Sequence, residues 1–101
     1  MANETFSAKI MTPVGKAFEG DVQSVSLPGE KGRFQVLYGH APILSTLVHG
    51  DVHVVDAAGT RSSFNVQVGF VEMVNNSLTL LAESVTDGAS ASSGAGSEAN
   101  S

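Results

Sequence analysis

Apolar and polar residues alternate with a period of two through much of the first 86 residues. The pattern is clearest in three runs: Phe6, Ala8, Ile10; then Phe64, Val66, Val68; then Leu78, Leu80, Ala82. Successive side chains of an extended chain point to opposite sides, so each set lines one face of a β-strand. Valine and phenylalanine suit a pleated, half-buried surface. The runs are separated by turn-forming stretches: "PGEKG" at 28–32, "AAGT" at 57–60 and "NNS" at 75–77. Glycine and asparagine tolerate the positive φ that tight hairpins need. No segment carries an apolar stripe at helical spacing, so the expected fold is all-β.

The alternation slips in two places. Val22 is out of phase with Val25 and Leu27, and beyond Gly69 the apolar Val71 and Met73 take the opposite parity to Val66 and Val68. A one-residue slip beside a glycine suggests a β-bulge, which bends a strand round a corner. Short strands with hairpins and bulges predict a flattened antiparallel β-sandwich or barrel. The pattern stops near Asp87. From there "DGASASSGAGSEANS" holds no large apolar residue and cannot bury enough surface to offset its ordering entropy. The expected organisation is a folded unit over 1–86 and a disordered Ser/Gly/Ala-rich tail over 87–101.

Composition narrows the function. With 101 residues, the chain must commit nearly every large apolar side chain to one small core, leaving little to line a deep substrate pocket. Ten acidic and five basic residues give a net charge of −5, which disfavours nucleic acid as a partner. There is no cysteine for a disulfide or a thiolate site. The start, "MANETFSAK", has no basic, apolar signal-peptide pattern, and no stretch reaches the length of a membrane span.

Candidate chemistry is sparse. In "HGDVH", His49, Asp51 and His53 would share a strand face, but His49 and His53 would then stand roughly 13 Å apart, too far to share one ion. Asp51 and His53 would need a third ligand from another strand, so the expected face is a solvated one without metal. Glu19 and Asp21 flank Gly20 and read as an exposed turn. No G-x-S-x-G elbow places a serine beside a base, so no catalytic residue is expected. The "GEKGR" stretch, residues 29–33, lacks the setting of a phosphate cradle and reads as a charged hairpin that could contact a partner. No cofactor is expected. In "YGHAP", Gly39 and Pro42 define a stiff loop before the apolar "ILSTL" run. Ile43 and Leu44 would point to different sides, so one of them could be exposed. Two roles for the loop stay open: a docking surface, or a core corner with His40 bonded to the backbone.

The segments "FEGDVQSVSLPGEKGRFQVLYGHAPILSTLVHGDV" and "FNVQVGFVEMVNNSLTLLAESV" resemble the epsilon subunit of F-type ATP synthases over about residues 5–86. The resemblance implies that subunit's flattened β-sandwich of about ten strands. It also implies a rotor role without catalytic residues: docking on the gamma subunit and on the polar loops of the c-ring, and coupling ion flow to ATP synthesis. By position it assigns Thr12, His40, Pro42 and Ile43 to the gamma interface. It assigns Gly29, Glu30, Lys31, Gly32 and Arg33 to the c-ring. The implied location is peripheral, on the cytoplasmic face of a bacterial inner membrane. Arg33 stands where many members are acidic, and Tyr38 stands where many have proline, which is expected to leave that turn less rigid. Most members continue into an inhibitory helical hairpin; the Ser/Gly/Ala tail stands in its place here, so inhibition by that hairpin is not expected. The alternative is a free-standing β-sandwich interaction module.

Overall fold

The computed structural model describes residues 4–87, and the described residues form strands and turns without a helix. Nine strands follow one another: β1 Phe6–Thr12, β2 Gly15–Gly29, β3 Gly32–Leu37, β4 Ile43–Leu47, β5 Gly50–Asp56, β6 Arg61–Val66, β7 Gly69–Val74, β8 Ser77–Ala82 and β9 Val85–Asp87. The ring β1-β8-β7-β4-β2 closes through the β1–β2 pairing, and β5, β6 and β9 extend it beyond β2, with β3 also on β2. The 15-residue β2 makes this possible. Its first half pairs with β1 and its second half lies between β3 and β5. The result is the flattened sandwich that the alternation predicts.

The core is the inward set of the alternating positions. Phe6, Ala8, Ile10, Leu78, Leu80 and Ala82 are buried, as are Val22, Val25, Leu27, Val52, Val54, Val66, Val71 and Met73. Phe18 and Phe64 meet edge to face, with ring centroids 5.9 Å apart, and pack against this core from the rim. Tight turns form where asparagine and glycine stand. Asn75 and Asn76 have φ of 51° and 58°, and Gly59 has φ of 89°.

One of the two expected bulges is present. The β2–β5 register shifts between Val22 and Ser24, which lets Val22 and Val25 both face the core. The slip at Gly69 has a different cause. β6 ends at Val66 and β7 begins at Gly69, and the chain between them turns a corner. The corner is held by Gln67 N–H on the Ser84 carbonyl (3.1 Å) and by Glu83 N–H on the Val68 carbonyl (3.0 Å). Parity changes because the chain leaves one strand partner for another, and Val68 is 62% exposed instead of joining Phe64 and Val66.

Two further expectations change. Glu19 and Asp21 do not lie in a turn; they sit inside β2, opposite Lys9 and Ser7 of β1. The strands are also not all antiparallel, because β1 and β8 run parallel, with Ala8 opposite Leu78 and Ile10 opposite Leu80. Period-2 patterning fixes which face is buried but carries no information on the direction of a distant neighbour. At the other end, Asp87 is paired with Phe64. The expected disordered tail otherwise lies outside the described residues.

Candidate docking surface

The two outer faces of the sandwich differ in chemistry. On the outer face of β1-β8-β7-β4, one row across the strands runs Met11, Leu81, Phe70, Thr46, and the next runs Lys9, Thr79, Glu72, Leu44. Leu44 is 71% exposed, and Phe70 and Leu81 are exposed beside it. Val68, at the β6–β7 corner, extends the patch. A shallow groove lined by Met11, Thr12, Pro13, Val68, Phe70 and Leu81 joins it to the β1–β2 turn. At the tip of that turn Val14 is 96% exposed. These side chains remain in water because the strands alternate and no second layer covers this side.

The outer face of β2-β5-β6 is mostly polar, although Val55 lies on it and Leu37 of the adjoining β3 is half exposed beside it. Ser26, His53 and Ser63 stand in one row, with His53 Nδ1 2.8 Å from Ser63 Oγ. Asn65 donates to Asp51 Oδ1 (3.0 Å), and His49 Nε2 donates to Asn65 Oδ1 at 3.1 Å. His49 and Asp51 are thus joined through a carboxamide rather than gathered round a common point. No group of three or more metal-ligating side chains forms among the described residues.

Thr12 and Pro42 border the apolar face from opposite sides. Thr12 closes the β1–β2 turn, donating to the Gly15 carbonyl (3.1 Å) and accepting from Val14 N–H (3.3 Å). Pro42 lines a groove with Ile43, Leu44, Glu72, Met73 and Val74. Ile43 turns inward and packs against the core, so Leu44 is the exposed member of the pair. His40 is half-buried, and its Nδ1–H donates to the Ala41 carbonyl (2.7 Å). Its backbone N–H reaches the Leu37 carbonyl (3.1 Å). Gly39 N–H donates to Asn76 Oδ1 (2.8 Å). The turn after Tyr38 is therefore held by hydrogen bonds on an exposed loop, and His40 bonds to backbone there without forming a core corner.

The Gly29–Arg33 stretch is the β2–β3 hairpin, with Glu30 and Lys31 as its two-residue tip. Gly29 is buried; a Cβ there would lie 2.7 Å from the Gly32 carbonyl oxygen and 2.8 Å from the Phe34 ring. Glycine is needed for that close approach. Glu30 N–H donates to the Thr46 carbonyl (3.1 Å), which ties the tip to the end of β4. Arg33 lies down on the polar face. Its Nε donates to Ser26 Oγ (3.0 Å) and its Nη2 donates to the Asp51 carbonyl. The guanidinium fastens the hairpin to β2 and β5, leaving Glu30 and Lys31 as the outward charges.

β4 connects the two loops. The His40 loop enters it at Ile43, and the Glu30 tip is bonded at Thr46 near its far end. Four residues of strand hold the two sites about 10 Å apart along one rigid element. Leu44, Val68, Phe70 and Leu81 were not among the residues that sequence reasoning assigned to an interface. Only Leu44 had a signal, as one of two adjacent apolar residues that cannot both face inward.

The family described as "ATP synthase, Delta/Epsilon chain, beta-sandwich domain" matches residues 5–88. The chain belongs to this family. It is 38% identical to the ATP synthase epsilon chain of Chlorobium limicola over 85 residues, which span 84% of this chain and 97% of that one. It is 40% identical to the epsilon chain of Caulobacter vibrioides over 89 residues, 88% of this chain and 100% of the relative. Among solved structures, a chain of the Euglena gracilis mitochondrial ATP synthase shares the fold with a TM-score of 0.78 at 14% identity, over 82% of this chain and 53% of that chain. The epsilon-type sandwich so identified belongs to an ATP synthase.

Proposed function

We propose that this epsilon-type sandwich is a non-catalytic rotor subunit that docks on gamma and touches the c-ring, coupling ion translocation to ATP synthesis. One observation carries the assignment of faces: the outer side of β1-β8-β7-β4 exposes Leu44, Val68, Phe70 and Leu81 together, while the outer side of β2-β5-β6 is mostly polar, with Val55 as its apolar exception. An apolar surface left open on so small a domain favours a protein partner. Gamma is that partner in this reading. It takes the apolar face together with Thr12, His40 and Pro42, and Leu44 supplies the contact that the inward Ile43 does not. The Glu30–Lys31 tip faces the polar loops of the c-ring, with Gly29 and Gly32 shaping the tip and Arg33 anchoring it.

Torque transfer asks for stiffness and surface fit, not for a reactive group. The closed ring of strands supplies the stiffness, and β4 fixes the spacing of the two loops. Held by its partners, the subunit would sit peripherally on the cytoplasmic side of a bacterial inner membrane. The free-standing interaction module is the weaker reading, since the family match spans the described residues. Mixing the chain with purified gamma subunit from the same organism should give one co-eluting species on a sizing column. Two separately folded proteins that elute apart at micromolar concentration would refute the docking reading.

A further inference from the structure

The β7–β8 turn has an unusual occupant. Val74 and Ser77 are paired across a two-residue loop, and Asn75 and Asn76 both have positive φ. This is a type I′ turn, whose second central position is best filled by glycine. Asparagine at 76 gives up part of that ease, because a Cβ in the left-handed region costs energy that glycine avoids. A residue that departs from the local optimum points to a role outside the turn.

The side chain is directed away from its own hairpin. Asn76 Oδ1 accepts the N–H of Gly39, 37 residues earlier in the chain, at 2.8 Å. The Asn76 carbonyl accepts the N–H of Ser7 at the start of β1 (3.0 Å). Asn76 is half-buried between these partners. Gly39 itself has φ of 79° and no side chain with which to fix its place. The neighbouring bonds, His40 N–H to Leu37 and His40 Nδ1 to Ala41, close the loop on itself without tying it to the rest of the sandwich.

We propose that Asn76 is a positioning residue for the Gly-His-Ala-Pro loop: its carboxamide latches Gly39 and so sets the bearing of His40 and Pro42 toward gamma. The proposal rests on the reading of that loop as a gamma contact. Loss of the latch leaves the loop to be ordered at the moment of binding, which lowers affinity without removing any contact atom. Glycine at 76 suits the turn better than asparagine and deletes only the latch. Aspartate keeps an acceptor at the same reach and also tolerates the left-handed region.

The test compares Asn76→Gly, Asn76→Asp and His40→Ala, with calorimetric titration against purified gamma, thermal melts and amide exchange at Gly39. Asn76→Gly should melt at the same temperature or higher, exchange Gly39 N–H faster, and bind gamma about three- to tenfold more weakly, the scale of one net hydrogen bond. Asn76→Asp should recover most of that affinity. Unchanged affinity in Asn76→Gly, with His40→Ala weakened, would overturn the latch while leaving the docking reading intact. A lower melting temperature in step with lower affinity would also overturn it, by reducing Asn76 to a fold residue. If His40→Ala binds gamma as the parent does, the docking role of the loop fails, and the latch proposal falls with it.

Discussion

Lys16 and Glu19 form an ion pair on the exposed side of β2. Lys16 Nζ donates to Glu19 Oε1 across the outer side of β2. This bond, the Lys16 charge and then the Lys9 charge opposite hold the Glu19 carboxyl below its ordinary value of 4.5. A depressed carboxylate adds stability that is present above its unfolded-state value and is lost as pH falls through the folded one. Lys16→Met should therefore raise the Glu19 midpoint in an NMR titration. The acid-unfolding midpoint should hardly move, because both side chains are about half exposed and screened by water. Gly69 illustrates the opposite case, a residue set by close packing. A Cβ there would stand 2.2 Å from the Leu81 carbonyl oxygen, so the β7–β8 pairing requires glycine at the start of β7.

At the scale of elements, alternation turns one strand into two different surfaces. In β4, Leu47 is buried and Ile43 packs inward, while Leu44 and Thr46 face out. β7 repeats this with Val71 and Met73 inside and Phe70, Glu72 and Val74 outside. The double change Leu44→Ser, Phe70→Ser should lower the melting temperature only modestly, since Leu44 is 71% exposed and Phe70 is about half exposed, outside the core. It should weaken gamma binding by tenfold or more if this face is the seat of docking, as expected when apolar anchors at the centre of an interface are truncated. His53→Ala on the polar face should leave gamma affinity unchanged. The same titration checks both variants.

For the whole molecule, the closed ring β1-β8-β7-β4-β2 couples distant parts of the sequence. The first strand lies between the second and the eighth, so neither end of the fold can form its core alone. A single cooperative transition is expected, with loss of sheet circular dichroism and of core amide protection at the same denaturant concentration. Leu80 is wholly buried at the centre of this arrangement. Leu80→Ala should lower stability by about 2–5 kcal/mol, the range for a buried leucine reduced to alanine. Urea unfolding of the two proteins measures it directly.

The sequence by itself determined the class of fold and most of the core. Alternation at Phe6–Ile10 and Leu78–Ala82 sorted inside from outside, and glycine and asparagine marked the hairpins, because these are local properties of an extended chain. The Gly29–Arg33 and Gly39–Pro42 loops were legible for the same reason. Tertiary structure decided the rest. It made the β1–β8 pair parallel, turned the slip at Gly69 into a corner, and chose Leu44 over Ile43 for the surface. It also assembled Met11, Leu44, Val68, Phe70 and Leu81 on one side from separate strands, laid Arg33 across β2 and β5, and carried Asn76 to Gly39. Each of these joins residues far apart along the chain, and a period of two residues contains no term for such distances.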